Sequence, residues 1–386
     1  MTFKASQRGA VPAFIVMDVM RAAAALEAQG REIIHLEVGQ PATGMPQGAA
    51  RAVTALIGRD KLGYTVADGI APLRERIAEH YQDTYALSVD PNRIFITTGS
   101  SAAFTLSFLS AFEAGDTVVV AAPGYPSYRH ILSAYGINVE LIQVDAATRF
   151  NIAVEHLMKM PRRPQGVIVA SPANPTGSMI EPGVFRALVN YCHDHGIRLI
   201  SDEIYHGVTF GMDAVTAAEV SPSAIVINSF SKFYSMTGWR LGWMIVPEDL
   251  YRSVECLAQN LYISPPALAQ HAALAAFDCR DELEKNIEVY RRNRTTLLKR
   301  LPEIGFTKFS PPDGAFYFYV DVSHLGMDSV VLCRRILDEA GVAVTPGLDF
   351  DPFHGNQWMR LSYAVSESEI AEACARLSAW MKTLHA

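Results

Sequence analysis

Residues 166–202 hold the deciding stretch: G-V-I-V-A-S-P-A-N-P-T-G at 166–177, P-G-V-F-R-A-L-V-N-Y-C-H-D-H at 182–195 and I-R-L-I-S-D at 197–202. The two outer runs are apolar at consecutive positions, so both faces of each strand need cover, as in a parallel strand between two helical layers. The piece between them has helical spacing and enough length to carry the chain back to the start of a neighbouring strand. Five more runs have the same β-branched, apolar texture, at 93–97, 117–122, 139–144, 224–229 and 241–246. Together they predict an α/β fold with a mainly parallel seven-stranded sheet sandwiched by helices.

Outward from this region the texture changes. A charged helical stretch at 278–301 precedes an aromatic-rich strand at 315–322, a helix at 328–340, a short strand and an amphipathic helix from 366. These predict a smaller α+β domain. Phe316, Tyr317, Phe318 and Tyr319 alternate along their strand, so half of them are expected in the core. R-R-N-R at 291–294 reads as a solvated helix face. Near the N-terminus A-A-A-A-L-E-A-Q-G reads as a helix ending at Gly30 and I-I-H-L-E-V as a strand, and periodicity alone places neither in a domain.

Composition excludes several classes. With 49% hydrophobic and 19% charged residues the chain is neither disordered nor fibrous. Thirty-three Lys and Arg against 40 Asp and Glu leave a net charge of −7, so no nucleic-acid partner is expected. Five cysteines without paired spacing suit reduced thiols and a cytoplasmic location. Asp18 and Arg21 interrupt the first apolar run before a signal-peptide core develops, and no run reaches the roughly 18–20 apolar residues of a membrane helix. C-H-D-H at 192–195 has no second ligand pair, so no metal is expected.

In an open parallel sheet, ligands bind beyond the carboxyl ends of the strands. After 93–97 comes T-G-S-S-A-A-F, with glycine and hydroxyls opening a helix whose free N–H groups favour a phosphate. P-G-Y-P-S-Y after 117–122 offers Tyr125 as a flat ring, and P-A-N-P-T-G after 166–171 is a rigid turn presenting Asn174. Asp202 ends its strand with Tyr205 three residues on, and S-F-S-K puts Ser229, Ser231 and Lys232 at another strand end, with Arg240 following. A phosphate, a stacked ring, a basic ring nitrogen, a phenolic oxygen and a carbonyl open to an amine would use all of these groups. Pyridoxal phosphate carries all five, although strand ends alone do not single it out.

The motifs add a resemblance that runs over nearly the whole chain. T-T-G-S-S-A-A at 97–103, A-P-G-Y-P-S-Y at 122–128, S-P-A-N-P-T-G at 171–177, S-D-E-I-Y at 201–205, S-F-S-K-F-Y-S-M-T-G-W-R-L-G-W at 229–243 and M-R-L-S-Y-A at 359–364 occur in order, with G-Y-T at 63–65 before them. The sequence resembles class I/II aminotransferases, pyridoxal-phosphate enzymes of the aspartate-aminotransferase-like fold type I. The resemblance implies an enzyme that moves an amino group between an L-amino acid and a 2-oxo acid by a ping-pong mechanism. It implies that Lys232 forms the Schiff base with pyridoxal phosphate and acts as general base and acid. Asp202 would pair with the pyridine nitrogen, Asn174 and Tyr205 would bind the ring hydroxyl, and Tyr125 would stack on the ring. Ser100, Ser101, Ser229 and Arg240 would hold the phosphate, with Tyr64 reaching the phosphate of a neighbouring subunit in a homodimer. Arg360 would clamp the substrate carboxylate beside Gly39 and Asn174, a bidentate task suited to a guanidinium.

By the same resemblance, residues 48–275 form the large cofactor-binding domain, and residues 1–47 with 276–386 form a small domain that closes over the substrate. A pyridoxal-phosphate carbon–sulfur lyase or related lyase is the alternative, because it shares the fold and most cofactor contacts. Q-P-A-T-G-M-P-Q-G after Gly39 departs from the usual pattern, and so does Asp351 in P-G-L-D-F-D, where glycine is frequent. Both stretches lie where the family gates its substrate, which leaves the donor side chain open.

Overall fold

The computed structural model describes residues 3–384. Its strands, in chain order, are β1 (Ile34–His35), β2 (Ile94–Thr97), β3 (Thr117–Ala122), β4 (Asn138–Gln143), β5 (Gly166–Ala170), β6 (Arg198–Asp202), β7 (Ile225–Ser229), β8 (Gly242–Ile245), β9 (Tyr317–Asp321), β10 (Val342–Ala343), β11 (Thr345–Pro346) and β12 (Trp358–Ser362). Seven of them form one sheet in the order β2-β8-β7-β6-β5-β3-β4. Neighbouring pairs are parallel except at β8, which runs antiparallel to both β2 and β7. The mainly parallel seven-stranded sheet expected from the apolar runs is present.

Side-chain alternation explains why these strands are apolar throughout. Val119, Val167, Val169, Leu199, Val226 and Trp243 point to one face, under helices Gln47–Leu56, Ala71–Tyr85, Pro182–Asp194 and Ala267–Ala276. Their chain neighbours Val118, Ile168, Ile200, Ile225, Ile227 and Met244 point to the other, under Gly99–Ala111, Pro126–Ala134 and Tyr251–Leu261. Each central strand is thus covered on both sides. The edge strand β4 is not, and its residues are exposed or half-buried.

This arrangement gathers the site along one edge. The carboxyl ends of β2, β3, β5, β6 and β7 lie together, and the reversed β8 starts there, with Gly242 opposite both Thr97 and Ser229. Arg240, two residues before β8, therefore reaches the same edge as residues that follow the parallel strands.

A second core surrounds the three-stranded antiparallel sheet β11-β12-β9, packed by helices Arg280–Ile304 and Glu367–Leu384. The N-terminal segment joins it where β1 pairs in parallel with β10, Ile34 opposite Val342. Two expectations change here. Phe316, Tyr317, Phe318 and Tyr319 are all buried, because β9 lies between this core and the edge of the large sheet. R-R-N-R is only partly a solvated face: Asn293 is buried and donates to the Tyr363 and Val365 carbonyls, and Arg294 donates to the Pro312 carbonyl at 2.6 Å. Among the described residues no helix is long and apolar enough to cross a membrane.

Candidate active site

Where the two cores meet at the sheet edge there is a cavity of about 190 Å³. Its lining includes Gly39, Ser100, Ser101, Tyr125, Asn174, Asp202, Tyr205, Lys232, Arg240 and Arg360, ten residues expected from strand ends and motifs. Ser229 lies just behind, its hydroxyl donating to Ser231 Oγ at 2.9 Å and accepting from the Ser231 N–H at 3.1 Å. Tyr64 stands apart, 86% exposed and away from the cavity.

Asp202 is the floor. Its carboxylate is buried, accepts the Tyr128 hydroxyl, and accepts the Ile204 N–H at 3.2 Å. Burial pushes Asp202 up to about 6, against the pull of those two donors and the charge of Lys232. Above it the Lys232 ammonium donates to the Gly39 carbonyl at 2.6 Å. Burial brings Lys232 down to about 8, and Arg360 and Arg240 push the same way while Asp202 opposes them.

At one end the helix Gly99–Ala111 presents its N-terminus, with Ser100 and Ser101 in the first turn. Gly99 has φ +73°, and a side-chain carbon there would lie 2.7 Å from Arg240 Nη2, so glycine lets the guanidinium lie against the helix start. At the other end Arg360 enters from β12. Its Nη1 donates to Asn174 Oδ1 at 2.8 Å and its Nη2 to the Glu37 carbonyl, while its Nε has no partner. The guanidinium is gripped between the rings of Tyr317 and Phe350, 4.5 and 4.7 Å from their centroids. Gly39 sits so close to Tyr317 that a side-chain carbon would come within 1.8 Å of the phenol oxygen.

Sequence reasoning missed several lining residues. Tyr128 follows Tyr125 by three positions at the start of helix Pro126–Ala134, and that spacing could have drawn attention to it. Tyr317, whose hydroxyl meets that of Tyr205 at 2.6 Å, and the apolar Phe14, Val16 and Met17 come from remote segments with no local signal.

The donor set fits an anionic ligand with a basic ring. Among the described lining residues Lys232, Arg240 and Arg360 are cations against the single carboxylate of Asp202. Hydroxyls and a helix N-terminus gather at the Arg240 end, and the flat ring of Tyr125 lines the same cavity. These features match the phosphate, ring nitrogen and ring plane of pyridoxal phosphate.

The profile of the family described as Aminotransferase class I and II matches residues 31–377, and the chain belongs to that family, whose members move an amino group between an amino acid and a 2-oxo acid with pyridoxal phosphate. The chain is similar to the valine–pyruvate aminotransferase of Mycobacterium tuberculosis, 44% identical over 385 residues that span 99% of each protein. A crystal structure of an aminotransferase from Mycobacterium tuberculosis superposes with a TM-score of 0.97 at 44% identity, covering 99% of this chain and all of that one. The aspartate aminotransferase of Thermus thermophilus, solved with maleate, superposes with a TM-score of 0.92 at 31% identity, covering 98% of this chain and all of that one.

Proposed function

We propose that this aminotransferase takes uncharged apolar L-amino acids, valine among them, as donors and pyruvate as acceptor, with pyridoxal phosphate held by the cavity at the sheet edge. The observation that carries this reading is the placement of Lys232, Asp202 and Arg360 around one cavity, with the apolar side chains of Phe14, Val16, Met17 and Val38 on its wall. The similarity to a valine–pyruvate aminotransferase supports the donor and acceptor.

Ser100, Ser101, Ser229 and Arg240 would hold the phosphate, Tyr125 the ring face, Asn174 and Tyr205 the ring hydroxyl, and Asp202 the ring nitrogen. When bound, the cofactor supplies an electron sink that stabilises the electron pair left behind as the α proton departs. Arg360 fixes the donor carboxylate with its paired N–H groups, beside Gly39 and Asn174. Its rings and hydrogen bonds already hold it in place, so little side-chain freedom is lost on binding. Lys232, with its amine down to about 8, is partly neutral near pH 7, takes the α proton as base and then returns a proton as acid on the far side of the amino nitrogen. Donor and acceptor occupy the same cavity in turn, giving ping-pong kinetics.

In this reading residues 48–275 form the unit that holds the cofactor, and residues 1–47 with 276–386 form the unit that closes over the substrate. The working species is a cytoplasmic homodimer in which the exposed Tyr64 reaches the partner's phosphate site.

A panel of L-amino acids assayed with pyruvate and with 2-oxoglutarate tests the proposal. Valine or a similar apolar donor with pyruvate should give the highest kcat/KM and parallel double-reciprocal lines. Highest efficiency with aspartate or arginine, or intersecting lines, would overturn it.

A further inference from the structure

Helix Ile15–Glu27 begins without a side-chain cap of its own, since its N-cap residue is Phe14. The cap comes instead from a residue more than 300 positions away. Asp349 accepts the Ile15 N–H on Oδ1 at 3.0 Å and the Val16 N–H on Oδ2 at 3.3 Å. The carboxylate is buried, 2% exposed, and faces the positive end of the helix dipole.

Asp349 is itself tied to the segment that carries Tyr125 and lies next to the residue that packs on Arg360. Its carbonyl accepts from Arg129 Nη2 at 2.7 Å, and the next carbonyl, that of Phe350, accepts from the Gly124 N–H at 3.1 Å and from Arg129 Nη1 at 3.2 Å. Gly124 precedes Tyr125, and the Phe350 ring lies on Arg360. Besides the cap, the first turn is held by Val16, which is buried. Farther along, Ala23 packs with Leu337 and Ala343, but between this anchor and the cap the helix spans a cavity of about 340 Å³ lined by Ile15, Val19, Cys333 and Pro346. The first turn and its flank contribute Phe14, Val16 and Met17 to the active-site wall, with the Phe14 ring edge-on to Tyr125 at 6.0 Å.

We propose that Asp349 is a positioning residue for donor selection: by clamping the first turn of helix Ile15–Glu27 it holds the apolar wall of Phe14, Val16 and Met17 in register with Arg360. The inference rests on the transamination reading for its kinetic consequence and on the hydrogen bonds alone for its structural one. A donor whose side chain meets the wall depends on Asp349, whereas alanine, with a single methyl, depends on it much less.

The test uses the cofactor-loaded enzyme and follows the half-reaction of L-valine and of L-alanine without an acceptor, in wild type, Asp349→Asn, Asp349→Ala, Phe14→Ala and the Asp349→Ala/Phe14→Ala pair. Losing the cap should cut efficiency for valine about tenfold through KM, with less than about twofold loss for alanine, and Asp349→Asn should fall between. In the Phe14→Ala background the Asp349→Ala change should add less than about twofold, because two residues acting through one wall do not add. Equal losses for both donors, or a full additional tenfold in the double variant, would overturn the proposal. Amide hydrogen exchange at Ile15 and Val16 reads the clamp independently of turnover. Faster exchange in Asp349→Asn supports it even if valine is not a substrate, and unchanged exchange refutes it. If Asp349→Ala does not fold, Asp349→Asn alone and paired with Phe14→Ala makes the same comparison.

Discussion

A buried carboxylate loses its hydration, and at Asp202 the Lys232 charge and two hydrogen-bond donors offset only part of that loss. Burial raises Asp202 to about 6, so between its ordinary value near 3.8 and about 6 the folded cofactor-free chain holds a proton that the unfolded chain has released. Stability from this group is therefore fully present below about 3.8 and is lost as the pH rises through about 6. Asp202→Asn should raise the melting temperature of the cofactor-free protein by a few degrees at pH 8, leave it nearly unchanged at pH 4, and lower turnover by at least about a hundredfold. Calorimetry at the two pH values checks the first part, and a lower melting temperature at pH 8 would contradict it. Asp202, Asn174 and Lys232 were legible because each directly follows an apolar run. Tyr317 and Phe14 were not, because only chain reversal over hundreds of residues brings them to that edge.

The strands show the same division. Runs such as G-V-I-V-A and I-V-I-N-S announce strands buried on both faces, and the helix Pro182–Asp194 follows from its spacing. Strand direction was hidden: β8 reads like its parallel neighbours, since a strand covered on both sides has the same texture whichever way it runs. The pairing of Ile34 with Val342 leaves no local trace either. In helix Arg280–Ile304 the polar appearance of R-R-N-R masks a buried tie, because Asn293 satisfies two carbonyls beyond the end of β12. Asn293→Ala should destabilise the protein by about 1–3 kcal/mol, the usual cost of leaving buried polar partners unmet. Denaturant unfolding measures this, and a loss below about 0.5 kcal/mol would show that water replaces the amide without cost.

At the scale of the whole molecule the charge pattern inverts. The chain carries −7 overall, yet its active-site cavity is lined by three cations and one carboxylate, an attractive sink for anionic substrates in an acidic protein. The two cores share the candidate site: Lys232 follows a strand of the large sheet and Arg360 lies on the small one, and the Arg360–Asn174 hydrogen bond joins them. In the proposed reaction this meeting places a substrate α carbon within reach of the Lys232 amine. Exchange of the α proton of L-alanine in deuterated water, followed by proton NMR with the cofactor-loaded enzyme, tests this directly. Wild type should exchange that proton, and Lys232→Ala should slow exchange by at least about a thousandfold; exchange at the wild-type rate in Lys232→Ala would contradict the account.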